Sequence, residues 1–306
     1  MRIRRLLAAC AAAIAAVALT GCVRLETPEP EWPSPSPAVL ERDALAAPHA
    51  QVQAALGEAG TTPLAALESA ALPDLLAGIG PEYVAYPDAD AGEDDSAPAA
   101  LDEAVAEALD AALAAASTAS DPDVRAWGAS AALVHALGLW LDGRPTGVAA
   151  RAFPGLGEDA IAVPAATSVA AEDVRALAAR HDDARCLLDQ IAMRTSEAER
   201  ADALARREIE AARSDALQAL AGGTDDRTAI CSVPLEAIAD ADARARTVRE
   251  AQLALGDAYA ALAVTASADD LEWLLDGAFD AYASAATTAG WTTADMPTTP
   301  GLSPAP

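Results

Sequence analysis

Apolar residues in the C-terminal half of the chain recur at alternating steps of three and four, the spacing that gathers them on one face of a helix. Val174, Leu177, His181, Ala184, Leu188 and Ile191 form one such stripe, in a helix expected over about 168–193. A second helix is expected from Ser196, with Glu199 three positions on as the partner of a capping box, to about Leu220, where Gly222-Gly223 stops it. A third, over about 234–265, carries Ile238, Ala241, Ala245, Val248, Gln252, Leu255, Tyr259 and Leu262, a seam with one polar member, Gln252. A fourth opens at Ser267, places Asp269 and Asp270 in its first turn, and shows Leu271, Leu274, Ala278, Tyr282 and Ala285. Four amphipathic helices with short joints predict an antiparallel four-helix bundle over 168–289.

The stretch before it, 38–150, also reads as helical. Residues 38–80 have the pattern but are interrupted by Pro48 and Gly57, and a further helix is expected from Ala99 to about Thr118. The next has strong end signals: Asp121 as N-cap, Pro122 at the first helical position, Asp123 in the first turn, Gly143 as the stop. From Trp127 to Leu141 only Ser130 and His135 are polar. A helix apolar on every face is buried in a core, and this one is too short to cross a bilayer, which needs about 20 residues. Residues 144–166 form a link containing Gly and Pro, and no alternating pattern predicts a strand of more than a few residues. The fold class is therefore all-α: an Ala-rich bundle of four C-terminal helices plus N-terminal helices. The Thr- and Pro-rich tail, 290–306, is expected to be loosely ordered.

The extreme N-terminus has a different pattern. Arg2, Arg4 and Arg5 precede a run from Leu6 to Leu19 holding only apolar residues, the charged and apolar regions of a secretory signal. The run ends in Leu19-Thr20-Gly21-Cys22, which resembles the lipobox of bacterial lipoproteins. That resemblance implies removal of residues 1–21, diacylglyceryl transfer to the Cys22 thiol, and a lipid anchor on the extracytoplasmic face of the cell membrane; two acyl chains suffice for stable anchoring. Residues 22–37 would be the lipidated cysteine and a Pro-rich spacer. Extended polyproline geometry over 26–37 would lift the folded body roughly 35 Å.

Composition narrows the partners. The formal net charge is -27, all basic residues are Arg, and loss of the signal would remove three of them. Such a surface repels nucleic acid and anionic headgroups. It reads as a solvated exterior, with attraction of cations or a basic partner as the alternative. Of the four cysteines, Cys10 would leave with the signal and Cys22 would take lipid. Cys186 and Cys231 remain. Outside the membrane two such thiols are expected to form a disulfide; the alternative is two free thiols or a metal pair.

Two segments of the C-terminal helices, Ala205-Arg206-Arg207-Glu208-Ile209 and Gln252-Leu253-Ala254-Leu255-Gly256-Asp257-Ala258-Tyr259, and the closing Thr299-Pro300-Gly301-Leu302 resemble a ferritin-like domain of unknown function found in actinobacterial lipoproteins. The resemblance covers about residues 168–305 and implies a ferritin-like four-helix fold with no settled activity. Ferritin-like oxidases hold their metals with Glu on two helices and Glu-x-x-His on two more. Here the residues three before His49, His135 and His181 are Ala46, Ala132 and Ala178, so that motif is missing and no metal or cofactor is expected.

Other groupings are weak. His181-Asp182-Asp183 could be a ligand or proton-transfer cluster, but its place on an apolar stripe favours a core histidine bonded to a neighbouring acid or carbonyl; His135 reads the same way. The loop Asp88–Asp95 departs from the calcium-loop template at its fifth, sixth and twelfth positions, Gly92, Glu93 and Ala99. Gly128-Ala-Ser130 lacks the second Gly of a nucleophile elbow, and Gly222-Gly223-Thr224 ends a helix instead of opening one. Trp127, Trp140, Trp273, Tyr259 and Tyr282 read as bulky fillers of an Ala-lined core, and Arg206–Glu210 and Glu210–Arg213 as surface pairs. The expected function is that of a non-catalytic binding or scaffolding module of the cell envelope, with an envelope protein as partner. The alternatives are a small-molecule or metal binder inside the bundle, or an enzyme using His181 with nearby carboxylates.

Overall fold

The computed structural model describes residues 35–57, 60–83, 99–144, 163–225, 227 and 231–302. The signal, Cys22, most of the spacer and the acidic loop 88–95 lie outside the described residues. The described chain is an all-α bundle of eight helices without strands: α1 Pro37–Leu56, α2 Pro63–Ile79, α3 Leu101–Thr118, α4 Pro122–Leu141, α5 Ala171–Ala192, α6 Glu197–Ala221, α7 Ala241–Ala263 and α8 Ala268–Ala286, with short 3-10 turns at Leu235–Ile238 and Thr293–Asp295.

The helix starts follow local chemistry. Ser36, Thr62 and Asp121 each stand as N-cap before a proline, and their side chains accept from the backbone amides of Val39, Ala65 and Asp123. Proline at the first helical position loses no hydrogen bond, and each cap contributes about 1 kcal/mol. The last two residues of the expected spacer, Ser36 and Pro37, thus belong to α1. Pro48 does not break that helix: α1 continues to Leu56. Pro48 cannot donate to Ala44 O, so the ladder is disturbed just where His49 Nδ1 reaches Leu45 O at 2.7 Å.

Two other starts differ from expectation. Ser196 caps α6 without a side-chain bond, and Glu199 turns instead to Arg244 of α7, at 2.7 Å and 3.1 Å. The third C-terminal helix begins at Ala241, not near 234, because Asp240 caps it, accepting from Ala243 N at 2.8 Å.

α4 and α8 form the centre. Every residue of α4 from Gly128 to Leu139 is buried, as is every residue of α8 from Trp273 to Ala283. The two helices touch, with Trp140 edge-on to Phe279 at 6.3 Å. Around them α3 packs on α4 and α1, α2 on α4, α6 on α5, and α7 on α8. One continuous apolar core therefore runs from Leu45 and Leu75 through Leu133 and Leu137 to Leu255, Phe279 and Tyr282. Each fully buried Leu contributes about 2 kcal/mol. Residues from 36 onward form one compact unit.

The stretch after α8 packs rather than trails. Met296 is buried, Gly301 lies against the Ala260 carbonyl, and the Thr298 hydroxyl donates to Asp74 Oδ2 of α2 at 2.6 Å. Cys186 of α5 and Cys231, in the connection from α6 to α7, stand in disulfide geometry with Cα atoms 5.5 Å apart. Among the described residues no helix is long and apolar enough to cross a membrane.

Candidate functional site

The polar chemistry of the fold lies inside it. His49, His135 and His181 are all fully buried, and each ring nitrogen described has a protein partner. They fall into two clusters, one in each half.

The C-terminal cluster is built from four helices. His181 on α5 sends Nδ1 to Glu210 Oε2 on α6 at 2.5 Å, and its Nε2 meets the Tyr259 hydroxyl on α7 at 2.8 Å. Glu210 Oε1 accepts from Arg206 Nε at 2.6 Å and from Gln252 Nε2 at 3.0 Å. Arg206 also donates to Asp280 Oδ2 on α8 at 2.8 Å, and Arg213 donates to the same oxygen at 2.5 Å. Two guanidinium groups thus offset two carboxylates.

Protonation follows from the geometry. Burial would push Glu210 up, but Arg206 and the His181 hydrogen bond outweigh it and hold the carboxylate ionised; burial likewise opposes, and Arg206 and Arg213 overcome, the ionisation of Asp280. Burial pushes the His181 imidazole down despite Glu210. A neutral ring donating from Nδ1 to a carboxylate leaves Nε2 as an acceptor, so Tyr259 donates. Burial pushes the Tyr259 hydroxyl up, which keeps its proton in place. Hydroxyl, imidazole and carboxylate stand in the order of an activated nucleophile. Yet Tyr259 is 3% exposed, so its oxygen meets His181 and not solvent. The array holds four helices in register.

Two sequence expectations change here. Arg206–Glu210 and Glu210–Arg213, read as surface pairs, point inward: Glu210 is fully buried, Arg213 5% exposed, and Arg206 partly buried. Charges on an Ala-rich helix can face inward when the opposite helix carries the complement, here Asp280. His181 does not act with its sequence neighbours either. Asp182 pairs with Arg185 Nε at 2.8 Å, and Asp183 is exposed.

Several residues that carried the family resemblance meet in this cluster. Arg206, Gln252 and Tyr259 are members. Gly256 admits Tyr282, whose hydroxyl donates to Asp257 Oδ1 at 2.7 Å. The aromatic residues therefore do more than fill space. Tyr282 of α8 lies over Gly256 of α7, and Tyr259 of α7 lies over Gly277 of α8, so each glycine is the socket for the other helix's ring.

The N-terminal cluster is smaller. His135 on α4 places Nδ1 2.9 Å from Glu68 Oε1 on α2, and Nε2 3.0 Å from His49 Nε2 on α1. Glu68 Oε2 is buried without a hydrogen-bond partner among the described residues. Burial, with the charge of His135 second, pushes His49 down to about 3.

A cleft of about 510 Å³ lies nearby, lined by Asp182, Arg185, Ala211, Ser214, Asp215, Asp225 and Arg227, but His181 is not part of its wall. Its charges are paired, Arg185 with Asp182 and Arg227 with Asp215 and Asp225. Among the described residues no group of three or more His, Cys, Asp or Glu is arranged to hold a metal ion. No family model, no curated protein and no solved structure matches the chain.

Proposed function

We propose that the chain is a lipid-anchored protein of the extracytoplasmic face of the cell membrane, and that its helical body serves as a non-catalytic binding or scaffolding module. The observation that carries the second half is the enclosure of the three histidines: each ring is fully buried and spent on another protein group. Groups used this way fix helix register and shape a rigid exterior. The first half rests on Leu19-Thr20-Gly21-Cys22 behind an apolar run, and on Cys186 and Cys231 standing at bonding distance, as an oxidising compartment favours. Three residues of the segments that resemble the ferritin-like domain, Arg206, Gln252 and Tyr259, lie in the buried cluster. The acidic exterior favours an envelope partner with a basic face.

The test is chemical cross-linking on intact cells, followed by capture of the anchored protein and identification of what is attached. The expected result is a defined envelope protein, recovered less well as salt is raised. Recovery of nothing at any salt concentration, together with turnover of a small molecule by the purified protein, contradicts the reading.

A further inference from the structure

We propose that the buried row Glu68–His135–His49 is a proton-binding site, holding one proton on the line between the two Nε2 atoms, and that acid opens the N-terminal helices through it. Leu45 O only accepts, so His49 Nδ1, 2.7 Å away, carries hydrogen. A neutral His49 then presents a bare lone pair at Nε2. The atom facing it at 3.0 Å is another Nε2, that of His135. Two lone pairs abutting in a dry core repel, so either the proton of an N–H group or a metal ion must lie between them. A separation of 3.0 Å fits N–H···N. A metal with bonds of about 2.0–2.1 Å in a linear arrangement needs roughly 4 Å. What lies between them is therefore a proton, covalently on His135 Nε2.

The rest of the row follows. With Nε2 protonated, His135 Nδ1 either donates to the Glu68 carboxylate or accepts from its acid form. Both placements contain one proton more than a carboxylate and two neutral imidazoles. On the helices of the row itself, Arg42 Nε of α1 and Ser130 Oγ of α4 are also buried without a hydrogen-bond partner among the described residues. α3 turns only Ala104, Val105, Ala108, Leu109, Ala112 and Ala116 into the core. From α7 the buried Tyr259 is taken by His181. On α8, Asp270 is held by Ser168, Thr167 and Trp273 and Asp280 by Arg206 and Arg213, and the buried Asp276 has a partner too.

A second proton would set two imidazolium rings Nε2 to Nε2, with centroids 4.9 Å apart. The folded state refuses it, with His49 pushed down to about 3 from an ordinary 6.5, whereas the unfolded chain accepts it. The His49 contribution to stability is complete above about pH 6.5 and falls as pH drops toward 3, whereas the proton the row takes up on folding stabilises less as pH rises. As His49 loses its contribution, the unfolding constant rises by up to tenfold per pH unit, the limit for one proton.

The experiment is nitrogen NMR on the full chain labelled at histidine, from pH 5 to 8, with metal analysis of the same sample. The expected result is His135 protonated at Nε2, His49 protonated only at Nδ1, a through-hydrogen-bond coupling between the two Nε2 nuclei, and no stoichiometric metal. Bare nitrogen at His135 Nε2, or one bound metal per chain with both Nε2 atoms shifted, overturns the proposal. The variant His49→Gln, whose amide oxygen can accept from His135, is expected to lower the acid slope of stability by one proton. An unchanged slope also overturns it, and if the variant does not fold, the wild-type spectrum decides.

Discussion

Asp280 shows how much one carboxylate holds in this protein. It accepts from both Arg206 and Arg213; Asp280 and Arg213 lie in the core, and the Arg206 side chain beside them is 17% exposed. Asp280→Asn would leave two cations short of one partner, and breaking such a set costs about 3–5 kcal/mol. Denaturant unfolding should register that loss, with helicity retained in the native baseline. The pH dependence has a definite sign. Glu210 and Asp280 are held below the ordinary carboxylate range, and His181 below the ordinary imidazole range. Each lowered value means that the unfolded chain takes up the proton first, so stability is complete above about pH 6.5 and is lost on acidification. A thermal melt series from pH 7 to 4 should show the midpoint falling throughout. At this scale the sequence was only half legible. His181 stood on an apolar stripe and His135 in an apolar helix, so both read as buried. Their partners Glu210 and Glu68 did not, because helical spacing says which face a residue occupies and nothing about which face of another helix meets it. Arg206 and Glu210, four apart, looked like a solvent-side pair for the same reason.

Among the elements, α7 and α8 make the clearest case of fit. A Cβ at Gly277 would lie 2.5 Å from the Tyr259 ring, and one at Gly256 would lie 2.6 Å from the Tyr282 ring. Gly277→Ala should therefore force the ring out of place. Overpacking of this kind costs about 1–3 kcal/mol. The shift should also weaken the Tyr259–His181 hydrogen bond, which the His181 nitrogen resonances would report. Sequence reading placed both tyrosines on apolar seams, but it could not see that each glycine lay opposite a ring of the other helix. The ends of elements were more legible, since Ser36, Thr62 and Asp121 act within three residues of themselves. The capping box at Ser196 failed because Glu199 had a better partner, Arg244, on a helix distant in sequence. The link from α6 to α7 is tied to α5 by Cys186 and Cys231, 45 residues apart. Replacing Cys231 by Ser should lower stability by about 4 kcal/mol in the chain-entropy treatment. Comparison of unfolding midpoints without reductant tests this, and equal midpoints would count against a cross-link.

For the whole molecule, binary patterning was enough to give an all-α bundle, because amphipathic helices without strand-like alternation leave few other ways to bury apolar faces. It did not foresee that helices of both halves share one core through α4 and α8, or that Met296 and Thr298 fasten the last stretch onto the body. Contacts across so many residues carry no local signature. We propose that this body works at a membrane surface, held there by lipid on Cys22. Detergent phase partitioning of wild-type and Cys22→Ser protein from the same cells, with mass measurement of the N-terminal peptide, tests it directly. The account expects wild type in the detergent phase, beginning at a diacylated residue 22, and the variant in the aqueous phase with the same fold. Equal partitioning of the two, or a wild-type peptide that still begins at Met1, would contradict it.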